Sequence, residues 1–135
     1  MDERAKAVFS EGVIGVLATV NQDGSPRATP LHLVLGDDYI HWFSMEDKVH
    51  SVNIARDSRV SLTLFSRDTS KGPKGVYVNG KAELLDDEGR ANTYELFQQR
   101  LGTVPAVFDT ASAYRVPVGV FDEQKSTGNC WYFYS

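Results

Sequence analysis

Residues 15–35 read GVLATVNQDGSPRATPLHLVL, and this stretch decides the fold because it combines extended segments with a hairpin turn. The run from Val13 to Val20 is rich in β-branched residues, which is typical of a strand. Residues 21–24, NQDG, predict a tight turn, since Asn and Gly both tolerate a positive φ. Further extended segments cover residues 26–35 and 39–44. The stretch and its continuation therefore predict a meander of three antiparallel strands.

Two prolines stand in the segment after the turn, where a central strand would not tolerate them. Pro26 and Pro30 have no N–H to give to a neighbouring strand, so they belong at a sheet edge, a strand start or an opening in a barrel wall. The backbone between them is then free to face a ligand. Arg27, Ala28 and Thr29 offer a planar cation, a small side chain and a hydroxyl, which suit an oxygen-rich ligand. An ordinary exposed strand arginine explains Arg27 equally well, and both interpretations stay open.

Beyond this stretch the sequence predicts more strands and a few helices. The predicted strands lie at residues 59–65, 76–85, 114–121 and 129–134, and the predicted helices at residues 3–10, 46–56 and 86–101. The longest helix would bury Ala91, Tyr94 and Phe97. Many antiparallel strands with short turns predict a mainly β fold, in the form of a small closed or half-closed barrel. The length of 135 residues predicts a single domain over residues 1–135.

The start of the helix at residues 46–56 has two interpretations. Free N–H groups at a helix N-terminus favour a phosphate, and Ser44 would add a hydroxyl beside Lys48 and His50. Alternatively, Ser44 caps the helix in a capping box, while Lys48 and His50 face solvent. The spacing alone favours the second interpretation, because Glu46 and Asp47 already complement the helix dipole.

Composition limits the partners of the protein. A net charge of -4 argues against a nucleic-acid partner, since duplex binding depends on clustered Lys and Arg. The charged N-terminus is not a secretory signal, and no run approaches the roughly 20 apolar residues of a membrane span, so we expect a cytoplasmic protein. His32, His41 and His50 lack the spacing of a helical metal pair, which predicts no metal site. Cys130 is the single cysteine and is expected to pack in a strand.

Four stretches resemble one known family, the pyridoxamine 5′-phosphate oxidase-like, FMN-binding split-barrel proteins. They are GVLATVNQDGSPRATPLHLVL, YIHWFS, HSVNIARDSRVSLTLF and GVYVNGKAELLDD. The last two carry the most specific signals, a Lys or His followed by Asn-Ile, an Arg-Val-Ser-Leu strand, and later Gly-x-Ala-Glu. The resemblance implies a Greek-key antiparallel split barrel that forms a homodimer, with two FMN molecules at the subunit interface. It also implies a flavin-dependent oxidoreductase that acts on a small molecule.

The resemblance assigns eight cofactor-binding residues. They are Arg27, Ala28, Thr29, Pro30, Phe43, Ser44, Lys48 and His50. Arg27 to Pro30 match the strand beside the flavin ring, and Phe43 and Ser44 match the aromatic-hydroxyl pair near its phosphate. His50 stands where many members have a phosphate-binding lysine. Either Lys48, or Lys71 and Lys74, would compensate for that charge. The catalytic residues are not assigned.

Two other functions remain open beside the oxidoreductase. One is a binding module that holds flavin or haem without turnover, and the other is a reductase that uses the deazaflavin F420. The chain lacks the Arg-Leu-x-Pro ending of the members that oxidise pyridoxamine phosphate, so that reaction is not expected here.

Overall fold

The computed structural model describes residues 14–65, 75–121 and 130–134. Its strands are β1 (Ile14–Val20), β2 (Pro26–His32), β3 (Val34–Leu35), β4 (Tyr39–Ser44), β5 (Arg59–Phe65), β6 (Gly75–Lys81), β7 (Glu83–Leu84), β8 (Ser112–Pro117), β9 (Val120–Phe121) and β10 (Cys130–Tyr134). Its helices are α1 (Val49–Arg56), α2 (Asp87–Leu101) and a 3₁₀ turn at Ala106–Phe108. The helix predicted at residues 3–10 lies outside the described residues.

The strands form two sheets, which confirms the predicted mainly β split barrel. The first sheet has the order β2-β1-β5-β6-β10-β9, and the second has the order β3-β4-β8-β7. Neighbouring strands are antiparallel except β9 and β10, which pair in parallel. The strand predicted at residues 76–85 is divided into β6 and β7, with Ala82 between them giving its N–H to the carbonyl of Ser58.

The predicted three-strand meander is wrong in one respect, because the chain changes sheet at Leu33. β2 pairs with β1 in the first sheet, whereas β3 pairs with β4 in the second. Leu33, Val34 and Leu35 are all buried. Successive residues of a flat strand point to opposite faces, so three buried residues in a row require the chain to turn into the interior. The extended segment at residues 26–35 therefore joins the two sheets.

Two clusters of apolar side chains form the core. The first fills the space between the sheets and includes Leu17, Leu62 and Trp42, whose ring stacks on Tyr114 with centroids 5.9 Å apart. The second lies under α2 and includes Phe43 and Phe97. Alternation along β4 explains the division, because Trp42 and Phe43 are neighbours and point to opposite faces. The side chains of β4 thus contribute to both clusters.

The two α-helices differ in detail from those predicted. Asp86 caps α2 by accepting a hydrogen bond from the N–H of Gly89 at 2.9 Å. The helix buries Thr93 and Phe97, whereas Ala91 is exposed, which corrects the predicted buried face. α1 begins at Val49, three residues later than predicted, and its N-terminal flanking residue Lys48 makes no side-chain cap. The predicted Ser44 capping box is therefore absent.

The turn between β1 and β2 follows the prediction at one of its two residues. Gly24 has φ of 86°, whereas no residue other than glycine has a positive φ in the described ranges. Instead, the backbone N–H of Asn21 donates a hydrogen bond of 2.8 Å to the carbonyl of Ser25, and this bond closes the turn. The side chain of Asn21 also contacts the Ser25 hydroxyl, so Asn serves here through hydrogen bonds rather than through its tolerance of positive φ.

A half-buried histidine connects β4 to α2. His41 Nδ1 lies 2.9 Å from Thr93 Oγ1, and the Thr93 hydroxyl donates its proton to the carbonyl of Gly89. Because that hydroxyl has no second proton, His41 Nδ1 is the donor of the shared hydrogen bond. Burial, followed by the charge of Arg115, lowers the pKa of His41 from 6.5 to about 4. The imidazole is therefore neutral in the folded protein at pH 7.

This histidine should make the protein less stable in mild acid. Between pH 6.5 and 4, His41 binds a proton in the unfolded chain but not in the folded protein. The free energy of unfolding therefore falls as the pH falls. We expect a loss of about 2 kcal/mol between pH 7 and pH 5 from this residue. Urea unfolding of His41→Asn, whose amide can still donate to Thr93, should show a correspondingly smaller dependence on pH. The exposed His32 gives the control, and equal slopes for His41→Asn and His32→Asn would contradict the assignment.

Candidate functional site

The residues predicted to face a ligand lie on an edge strand. β2 stands at the end of the first sheet, and its side chains are exposed or half-buried along its whole length. This position confirms the interpretation of the prolines, since an edge strand can dispense with their missing N–H groups. Arg27 lies opposite Thr19 of β1, and Thr29 lies opposite Leu17. Arg27, Ala28 and Pro30 are exposed, and Thr29 is half-buried.

A chain of buried polar groups lies where β4 meets α1. Ser44 Oγ is 2.6 Å from His50 Nε2, and the Ser51 hydroxyl donates to Ser44 Oγ at 3.2 Å. Tyr114, opposite Trp42 on β8, is buried beside them; burial raises the pKa of its phenol, and Ser51 partly offsets this rise. Ser44, His50, Ser51 and Tyr114 are each less than 9% exposed. These four residues, called here the Ser44–Tyr114 chain, hold the first turn of α1 against the end of β4.

This arrangement decides between the two interpretations of the helix start. His50 is buried and bonded to Ser44, so the expectation that it faces solvent is wrong. Lys48 is exposed, as that interpretation required. Ser44 does not cap α1, because its hydroxyl contacts His50 Nε2 and the carbonyl of Met45 instead. The Ser44 hydroxyl thus orients the His50 imidazole and does not cap the backbone of α1.

The electrostatics of the site connect β2 with α1. Burial lowers the pKa of His50, and the positive charges of Arg27 and then Lys48 lower it further. Both cations therefore lie close enough for their fields to act on the imidazole. Since the ordinary pKa of 6.5 is already below neutrality, His50 is uncharged at pH 7. The site combines two exposed cations with a neutral, buried histidine, an arrangement that attracts an anion.

The structure brings four of the predicted site residues together and separates one from them. Ser44 contacts His50, and Arg27 and Lys48 lie close enough to lower the pKa of that histidine. The Phe43 ring does not join them, because it packs in the second cluster with its centroid 5.0 Å from that of Phe97. Only the backbone of Phe43 adjoins Ser44 at the site.

Sequence reasoning missed three residues that build the site. Ser51 and Tyr114 belong to the buried polar chain, and their contacts join residues far apart in sequence. Asn53 is also buried, and its side-chain amide donates to Thr19 Oγ1 at 3.0 Å and to Asn21 Oδ1 at 2.9 Å. These two bonds fix α1 across the end of β1. The Asn-Ile pair in HSVNIARDS was the available signal for Asn53, and no local signal marked the other two.

Within the described ranges, no helix is long and apolar enough to span a membrane. No group of three His, Cys, Asp or Glu side chains in them is arranged to hold a metal ion. The side chain of Cys130 lies outside what the structure describes.

One family model matches most of the chain. The family model described as pyridoxamine 5′-phosphate oxidase matches residues 1–121. No curated protein matches the chain at a significant level. Solved structures do match it, and the identities of 12–22% in eight of them are evidence for a shared fold alone.

Three of the similar structures illustrate the range. An FAD-binding protein from Mesorhizobium loti has 21% identity and a TM-score of 0.68, and the match covers 89% of this chain and 91% of that one. An F420 reductase has 19% identity and a TM-score of 0.69, with 87% and 94% covered. The haem storage protein HutZ from Vibrio cholerae has 17% identity and a TM-score of 0.72, with 86% and 88% covered.

Proposed function

The chain belongs to the pyridoxamine 5′-phosphate oxidase family, and from that premise we propose that it binds FMN and acts as a flavin-dependent oxidoreductase on a small molecule. One observation carries the proposal. Arg27 and Lys48 act together on a buried histidine beside an edge strand whose side chains are exposed. A cofactor with an anionic end and a flat polar ring is the kind of ligand that such a surface accommodates.

The residues present suit the phosphate end of FMN. Arg27 offers a planar fork of N–H groups, and Lys48 offers a mobile ammonium, so both can meet a phosphate from exposed positions. Ser44 and His50 are too buried to be the main contacts. Their role in this proposal is to position the start of α1, and with it Lys48, next to Arg27. The pKa of His50 would change with the charge of the ligand, although the neutral imidazole adds no charge to the site.

The residues of β2 suit the ring of the cofactor. Ala28 is small enough to let a planar group approach the strand, and the Thr29 hydroxyl can donate to a ring oxygen or nitrogen. Pro30 fixes the backbone beyond them. Bound FMN would supply the redox chemistry, and the chain would bind and orient it. No side chain is assigned as an acid or base.

We also propose that the protein is a homodimer with the cofactor at the subunit interface. Several apolar side chains near the site are exposed: Ile14 and Val16 on β1, Met45 before α1, and Val49 and Val52 on α1. A second copy that covered them would remove apolar surface from water and close the open side of β2.

The predicted cytoplasmic location stays a prediction.

An anaerobic reduction experiment tests whether the protein turns over. FMN-loaded protein is mixed with NADH or NADPH, and the flavin absorbance is followed. We expect bleaching by one of the two donors and recovery when an electron acceptor is added. Binding of FMN without reduction would favour the alternative of a binding module. Reduction only by reduced F420, or binding of haem in place of FMN, would favour the functions named for the similar structures.

His50 gives a readout of ligand binding that does not depend on turnover. Arg27 and Lys48 both lower its pKa, and an FMN phosphate placed between them would offset both charges. We therefore expect the pKa of His50 to rise when FMN binds, as measured by NMR of the imidazole over a pH titration. His41, which is bonded to α2, is the internal control and should not change. An unchanged His50 in FMN-saturated protein would place the phosphate elsewhere.

A further inference from the structure

A second pocket lies at the other end of α1 from the proposed flavin site. Its volume is about 590 Å³. The residues that line it are mostly polar, namely Val20, Asn21, Gln22, Gly24, Arg56, Asp57, Ser58, Arg59 and Lys81. Six residues of helix separate Arg56 from His50, which corresponds to about 9 Å along the axis. The pocket is therefore close to the flavin site but distinct from it.

The pocket concentrates positive charge in an acidic protein. It is lined by three cationic side chains and one carboxylate, a net charge of +2, whereas the whole chain carries -4. Arg59 and Lys81 lie directly opposite each other on β5 and β6. Like charges at facing positions of an antiparallel pair destabilise it. A ligand that brings negative charge between them would relieve this repulsion.

One carboxylate compensates part of this charge. Asp57 accepts two hydrogen bonds from the Arg59 guanidinium, at 3.0 Å to Nε and 2.7 Å to Nη2. The hydrogen bonds from Arg59 lower the pKa of Asp57 to about 2, so the pair stays ionised at neutral pH. The Nη1 group of Arg59 remains available as a donor.

The other two cations are not compensated in this way. Arg56 Nη2 donates to the carbonyl of Val20 and to Asn53 Oδ1, which are both neutral acceptors. These bonds hold the guanidinium in place but do not neutralise its charge. They use only Nη2, so Nε and Nη1 can still donate to a ligand. Lys81 is exposed and forms no ion pair within the described part of the chain. A fixed guanidinium and a mobile ammonium thus line one concave surface.

We propose that this pocket is a second binding site, for a small phosphorylated molecule. Guanidinium N–H groups match the geometry of phosphate oxygens, and an ammonium can follow the anion as a point charge. Asn21, Gln22 and Ser58 add neutral hydrogen-bonding groups for the rest of the molecule. The limited volume of the pocket and the acidic remainder of the chain favour a compact ligand over a nucleic acid.

NMR titration with pyrophosphate tests this site. We expect saturable shifts of the backbone amides of Gln22, Gly24 and Ser58. Lys81→Ala should raise the Kd for pyrophosphate about tenfold, since one charged contact is lost. Lys81 is exposed, so its replacement leaves the core intact. Arg100→Ala removes the same charge from an exposed position on α2 and should leave the Kd unchanged.

Three outcomes would overturn the proposal. Shifts confined to Arg27 and His50 would mean that pyrophosphate binds the proposed flavin site alone. Equal weakening by Lys81→Ala and Arg100→Ala would mean that only the net charge of the chain matters. Equal binding of citrate and pyrophosphate would contradict the assignment to phosphate. None of these outcomes depends on FMN binding, so the two proposals can fail separately.

Discussion

Replacing Arg27 by alanine is expected to raise the Kd for FMN about ten- to a hundredfold. A hydrogen bond to a charged group contributes about 1.5–3 kcal/mol, and the arginine fork is the strongest anion-binding group that β2 offers. Its positive charge also lowers the pKa of the buried His50. Titration of the flavin-free protein with FMN, followed by flavin fluorescence, measures the change.

Two variants distinguish the loss of the guanidinium contact from a change in net charge, and the unfolding temperature distinguishes it from a loss of stability. Arg27→Lys keeps the charge and loses the fork, so its Kd should lie between those of the wild-type protein and Arg27→Ala. Arg100→Ala makes the same change of net charge on α2 and should bind FMN normally. Arg27 is exposed, so the unfolding temperature should change little. If Arg27→Ala binds FMN as tightly as Arg100→Ala does, the assigned site is wrong.

Replacing Trp42 by alanine is expected to cost about 3–5 kcal/mol of unfolding free energy, or about 11–18 °C in Tm. The side chain is fully buried between the two sheets and stacks on Tyr114. Its Nε1 has no hydrogen-bond partner among the described residues, and removing an unpaired polar group recovers part of the loss. We therefore expect the lower end of the range. Thermal unfolding by circular dichroism measures it.

The control for Trp42 is an apolar side chain on the surface. Val107 is 72% exposed, so Val107→Ala should change the unfolding free energy by less than about 0.5 kcal/mol. Trp42→Phe keeps an aromatic ring on Tyr114 and should fall between the two. A loss below about 1 kcal/mol for Trp42→Ala would mean that the two sheets do not pack around this residue.

Local patterns predicted the parts of the fold that depend on neighbours in sequence. The strand at residues 59–65 was predicted with its observed bounds, and the helix predicted at residues 86–101 begins one residue later, at Asp87, because strand alternation and helical spacing are local patterns. The change of sheet at Leu33 was not predicted, since it depends on which strand pairs with β3. Ala91 was misplaced because helical spacing does not say which neighbours the helix will meet.

The site shows the same division between local and long-range signals. Arg27 and Thr29 were predicted from the prolines beside them, whereas Ser44 was assigned to the site through the family resemblance. Ser51 and Tyr114 were missed because 63 positions separate them in the chain and only the folded protein joins them. The burial of His50 is also a tertiary effect.

Equilibrium titration of the purified, flavin-free protein with FMN tests the central claim most directly. We expect saturable binding at one FMN per chain, and sedimentation of the complex as a dimer. The same titration of Arg27→Ala should be displaced to higher FMN concentration. A wild-type protein that shows no saturable FMN binding would contradict the proposed function.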